Sequence, residues 1–130
     1  MAGELIMIVE DNERNLKLLR DVLGVYGYRT VEARSGEEAV LLARAERPQL
    51  VLMDIQLPGM DGVGALRELR GSPESAATPV VAVTAFAMKE DHERFLAAGF
   101  DAYLEKPINV RELRSCVESY LGAGTNRYSM

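Results

Sequence analysis

The 130-residue chain is 48% hydrophobic and 27% charged, which suits one globular domain large enough to bury a core. Its formal net charge of −5 argues against sequence-independent nucleic-acid binding, which draws on a basic surface. The single cysteine, Cys116, excludes an internal disulfide framework and fits a reducing cytoplasm, while no stretch approaches the roughly 18 apolar residues of a membrane span.

Taken in order, Leu5–Val9 is an unbroken apolar run of the kind buried on both faces of a parallel sheet, and it ends in Glu10-Asp11-Asn12. The run is too short for the apolar region of a secretory signal. A helix follows to about Val25, with Asn12 as its cap and Leu16, Leu19, Leu23 and Tyr26 as its core stripe. Leu18, Val22 and Val25 form a second apolar stripe, which either widens the buried face or receives a partner helix. Tyr28–Ala33 reads as a strand, and Ser35-Gly-Glu-Glu38 as a capping box. The helix it opens carries Ala39, Val40, Leu42 and Ala43 inward and stops before Pro48.

Leu50–Met53 is a third buried-type strand, ending abruptly in the carboxylate of Asp54. Turn residues follow at Pro58-Gly59 and Asp61-Gly62, then a helix from about Val63 to Arg70. Pro79–Val83 is the fourth strand and ends at the hydroxyl of Thr84. A helix over Glu90–Ala98 closes on Gly99. Ala102–Glu105 is the fifth strand, followed by Lys106-Pro107 and a last helix over Val110–Tyr120 capped by Asn109. His92, among charged neighbours, reads as solvated, and Cys116 as core.

Five alternations of strand and helix predict an α/β fold: a five-stranded parallel sheet with helices on both faces, of flavodoxin-like order 2-1-3-4-5. That order gathers the polar strand ends Glu10/Asp11, Asp54, Thr84 and Lys106 in one crevice. Acids crowded there repel unless a cation joins them, and hard oxygen ligands without His or Cys select Mg²⁺. Asp54 then serves as metal ligand and as nucleophile toward a phosphoryl group, with Lys106 as second cation. Thr84 offers a hydroxyl to the phosphoryl oxygens, and its inward movement would leave space for Tyr103 on the next strand. Proline at position 107 tolerates a cis peptide, which could aim the lysine inward.

Val9-Glu-Asp-Asn12, Leu52-Met-Asp-Ile-Gln-Leu-Pro-Gly-Met-Asp-Gly62, Val83-Thr-Ala85 and Tyr103-Leu-Glu-Lys-Pro107 together resemble the receiver domain of two-component response regulators. The resemblance spans roughly residues 4 to 121, implying a receiver over 1–121 and a short tail over 122–130. The run Thr84-Ala-Phe-Ala-Met88 is most similar to stand-alone single-domain regulators of the cell-division DivK type, although receivers of hybrid kinases carry similar runs. The starting Met and short tail favour the stand-alone form.

The resemblance implies a cytoplasmic phosphorelay switch rather than an enzyme acting on a separate substrate. Asp54 corresponds to the phosphoacceptor, and Glu10, Asp11, Asp54 and the Gln56 backbone carbonyl to the Mg²⁺ ligands. Thr84 and Tyr103 match the switch pair, and Lys106 the catalytic lysine. A histidine kinase or histidine phosphotransfer protein would dock near Asn15, Leu18, Val22 and Pro107. An unidentified downstream protein would read the face formed by the fourth helix, fifth strand and fifth helix. No nucleic acid and no membrane insertion are implied.

A haloacid-dehalogenase-type phosphatase also phosphorylates a strand-end Asp with Mg²⁺, but it needs a second acid where this chain has Gln56. A flavin-binding domain would need a Ser/Thr/Gly-rich loop after the first strand, which is absent from the sequence. In receivers, Gln56 and Phe86 correspond to positions overhanging the phosphorylated site, so Gln56 would orient the hydrolytic water and Phe86 hinder it. Replacing Phe86 with serine should therefore speed phosphate loss severalfold. The decay rate of the phosphoprotein checks this, and an unchanged rate counts against it.

Overall fold

The computed structural model describes residues 3–57, 59–85 and 88–122. Pro58, Phe86, Ala87 and residues 123–130 lie outside the described residues, and with them the expectation for Phe86 and all of the expected tail but Gly122. The elements alternate as β1 (Leu5–Val9), α1 (Glu13–Val25), β2 (Arg29–Ala33), α2 (Gly36–Glu46), β3 (Leu50–Asp54), α3 (Gly62–Arg70), β4 (Val80–Thr84), α4 (Lys89–Ala98), β5 (Ala102–Glu105) and α5 (Val110–Leu121). The strands form one parallel sheet in the order β2-β1-β3-β4-β5, as the alternation predicts.

Every residue of β1, β3 and β4 is buried, which is why these runs are continuously apolar rather than alternating. Strand parity divides their side chains between two cores. Met7, Val9, Val51, Met53, Val80 and Ala82 join Ala39 and Ala43 of α2, Ala65, Leu66 and Leu69 of α3, and Phe95 of α4. Ile6, Ile8, Leu50, Leu52, Val81 and Val83 join Leu16, Leu19 and Leu23 of α1 and Leu113 and Val117 of α5. Each fully buried leucine in these layers contributes on the order of 2 kcal/mol.

Four helices open on side-chain caps: Asn12 accepts from the Asn15 amide, Ser35 from Glu38, Asp61 from Gly64 and Asn109 from Glu112. The expected capping box at Ser35 closes differently. Glu38 reaches one residue further back and accepts from the Arg34 amide, at 2.7 Å. Tyr26, expected in the core stripe, is the half-buried C-cap of α1, because the chain is already turning toward Gly27; its ring lies under the Arg114 guanidinium, 4.8 Å from it. Leu42 is likewise only half-buried. Of the second stripe on α1, Val22 packs against the core while Leu18 and Val25 stay exposed. No helix among the described residues is long and apolar enough to cross a membrane.

Candidate functional site

The strand order reverses between β1 and β3, and the crevice at the carboxyl ends of these strands is where open α/β sheets hold ligands. Parity also sorts the polar strand ends. Glu10 continues the Ile6–Ile8 series, Asp54 the Leu50–Leu52 series and Lys106 follows Leu104, so all three lean to the side of α1 and α5. Thr84 continues the Val80–Ala82 series and leans to the side of α4, where Tyr103 packs half-buried against the core. β4 and β5 pair Ala82 with Tyr103 and Thr84 with Glu105, so Thr84 and Tyr103 are diagonal neighbours on one face.

The centre of the crevice is an ion triad. Lys106 Nζ lies 3.1 Å from Glu10 Oε1 and 3.1 Å from Asp54 Oδ2. Both carboxylates are withdrawn from solvent, Glu10 with 1% and Asp54 with 4% of its surface exposed. Asp54 Oδ1 accepts a hydrogen bond from the Gln56 amide at 3.0 Å, and Glu10 Oε2 one from the Asn12 amide at 3.1 Å. Glu10 Oε1, although beside the ammonium, completes no hydrogen bond among the described residues. The peptide bond between Lys106 and Pro107 is cis, and the Lys106 amide donates to the Thr84 carbonyl at 2.7 Å.

Asp11 sits at the exposed lip, and ligand oxygens of Glu10, Asp11 and Asp54 all fall within 4.8 Å of one another. Two buried carboxylates and one exposed one, with an unsatisfied buried oxygen and no nitrogen or sulfur donor, fit a hard divalent cation. The electrostatics agree. Burial pushes the Glu10 carboxyl above its ordinary range, and the neighbouring Asp54 adds to that rise. For Lys106, burial pulls the ammonium down, but contacts with the two carboxylates outweigh it and leave it above the ordinary lysine range.

The turn after β3 is packed without slack. A Cβ on Gly62 would stand 2.7 Å from the Asp54 carbonyl oxygen and 2.9 Å from Ile55 Cα, so only glycine lets α3 start against the strand end. Gly59 takes a φ of 71°, in the left-handed region.

Residues 6–118 match the response regulator receiver domain family. The chain belongs to that family. Its relatives include the polar-differentiation response regulator DivK of Brucella anthropi, 50% identical over 117 residues that cover 90% of this chain and 95% of DivK. Brucella ovis DivK matches equally well, at 50% identity over the same shares. Among solved structures, the receiver domain of the sensor histidine kinase PA1611 from Pseudomonas aeruginosa PAO1 is 37% identical, with a TM-score of 0.86, covering 93% of this chain and 99% of that one. That receiver has a magnesium ion coordinated in its active site cleft. A putative response regulator from Chloroflexus aurantiacus is 30% identical, with a TM-score of 0.87, over 92% of this chain and 98% of that one.

Within this receiver, the structure brings Glu10, Asp11, Asp54 and Lys106 together, with Gln56 linked to Asp54 through its amide. Thr84 and Tyr103 stand on the adjoining face. Leu18 and Pro107 are exposed, whereas Asn15 and Val22 are half-buried. Cys116 is half-buried, and burial raises its thiol above the ordinary range. His92 departs from its expected solvated state. Its side chain is only 14% exposed and stacks on Tyr103, with ring centroids 3.9 Å apart. Its charged sequence neighbours concealed this, because the flat face of an imidazole packs on a phenol ring while the acids around it stay in water.

A buried carboxylate held above its ordinary range stabilises the fold below the unfolded-state pKa and loses that contribution as pH rises through the folded value. In divalent-free buffer, Glu10→Gln should therefore gain on the wild type in Tm as pH rises above the ordinary carboxylate range. Added Mg²⁺ should stabilise the wild type and leave the variant nearly unmoved. Thermal melts at several pH values, with and without Mg²⁺, check both points; a Tm difference between variant and wild type that does not move in the variant's favour as pH rises without metal would contradict the expectation.

Proposed function

We propose that this receiver accepts a phosphoryl group on Asp54 from a phosphohistidine of a kinase or phosphotransfer protein, with Mg²⁺, and signals through the face formed by α4, β5 and α5. The observation that supports it most is the placement of Asp54: a buried carboxylate at the end of β3, oriented by the Gln56 amide and shared with an acid through one ammonium. In the transfer, an Asp54 oxygen bonds to phosphorus as the P–N bond of the donor breaks and its electron pair returns to the imidazole. The transition state spreads charge over the phosphoryl oxygens, and Lys106 Nζ is positioned to offset it. Mg²⁺ bound by Glu10, Asp11, Asp54 and the Gln56 carbonyl would supply the remaining positive charge.

The new group offers the Thr84 hydroxyl a phosphoryl oxygen as acceptor, drawing the end of β4 inward, and Tyr103 follows into the space released. A cavity of about 340 Å³ opens between β5 and α5, lined by Tyr103, Leu104, Glu105 and Glu112, so a displaced Tyr103 would reshape a wall of it. That supports this face as the readout for a downstream protein. Asn15, Leu18, Val22 and Pro107 would form the donor's docking surface beside the crevice.

The protein on this reading is a cytoplasmic switch that catalyses only its own phosphorylation and slow dephosphorylation. The 50% identity with DivK, 95% of whose length is covered, supports the single-domain-regulator reading. Incubation with acetyl phosphate and Mg²⁺ should add one phosphate per chain, as read by mass spectrometry. Omitting Mg²⁺ or introducing Asp54→Asn should abolish it, and phosphate persisting in Asp54→Asn would refute the assignment.

A further inference from the structure

α4 is the most lightly held helix of the five. It buries one side chain, Phe95, and its N-cap Met88 makes no side-chain hydrogen bond. Each of the other four buries at least two residues and opens on a capping Asn, Ser or Asp. Near its amino end, what ties α4 to the sheet is His92. The imidazole stacks on Tyr103 at 3.9 Å between centroids, with the rings 23° from parallel. Its Nε2 also lies 3.9 Å from Glu105 Oε1. Tyr103 and Glu105 are two apart on β5 and so face the same way, and one α4 side chain touches both.

We propose that His92 is a positioning residue for Tyr103, its ring holding the phenol in the resting arrangement and coupling any departure of Tyr103 to the amino-terminal half of α4. The proposal rests on the reading of Thr84 and Tyr103 as a switch pair. A phenol ring drawn toward Thr84 gives up the imidazole plane, and α4 then loses the stack that joins its amino-terminal half to β5. Phe95, near the other end, becomes the pivot. An aromatic stack of this kind biases an equilibrium by about three- to tenfold. The identity of residue 92 therefore sets how readily the switch turns, through Tyr103 and not through the chemistry at Asp54.

The test is a beryllofluoride titration, in saturating Mg²⁺, of wild type, His92→Ala and His92→Phe, each with ¹³C-labelled tyrosine. The Tyr103 ring signal is assigned by its loss in Tyr103→Phe. In His92→Ala that signal should already lie part-way toward its saturated position before beryllofluoride is added, and the half-saturating concentration should fall about three- to tenfold. In His92→Phe, which keeps a flat ring, both should return to wild-type values. An unmoved signal and midpoint in His92→Ala, or a phenylalanine variant that behaves as the alanine one does, would overturn the proposal. A wild type that takes up no beryllofluoride would instead remove the phosphoacceptor reading beneath it, and the proposal would fall with it.

Discussion

One ammonium between two buried carboxylates organises this protein. Glu10, Lys106 and Asp54 come from the ends of β1, β5 and β3, and the contact exists only because the strand order sets those ends within a lysine's reach. A single lysine leaves the triad one charge short of neutral, and Asp11 at the lip adds another negative charge. Such a cluster is costly to bury and is relieved by a further cation, which is what a phosphoryl-accepting site requires. The surrounding construction keeps the carboxylates in place. The Gln56 amide orients Asp54, the Asn12 amide orients Glu10, and Gly62 lets α3 start directly against the end of β3.

The same sheet geometry separates the chemistry from its readout. Glu10, Asp54 and Lys106 share the side of α1 and α5, whereas Thr84 and Tyr103 share the side of α4. On the proposed reading, information has to cross from one to the other at the end of β4, where Thr84 offers a hydroxyl to a phosphoryl oxygen. α4, the lightest-anchored helix, is the element on the receiving side. On the same reading the distribution of buried residues over the helices has a functional sense: α2 and α3 each bury four residues, and α4 buries one.

Much of this was legible in the sequence because the apolar runs were short, unbroken and each terminated by a polar residue. That pattern gave the strand count, the sheet order and the approach of Glu10, Asp11, Asp54 and Lys106, whereas Thr84, expected in the same crevice, leans to the adjoining face. Parity, a purely local property, also contained the information that Glu10 rather than Asp11 is the buried acid, since Glu10 extends the Ile6–Ile8 series and Asp11 follows the chain out of the sheet. The stacking of His92 on Tyr103 was not legible, because it depends on how α4 lies across β5 and leaves no periodic trace. Helical spacing rightly turned Tyr26 and Leu42 toward the cores, but it could not tell that both would end only half-buried against them. The capping box at Ser35 shows the same limit: the residue types were right, and the backbone path chose the Arg34 amide instead.

The central claim is electrostatic, and a Mg²⁺ titration of the ¹⁵N-labelled chain tests it most directly. The account predicts saturable binding of one ion, with the largest amide shifts at Glu10, Asp11, Asp54, Gln56 and Lys106. Absence of saturation, or shifts centred away from the carboxyl ends of β1 and β3, would contradict it.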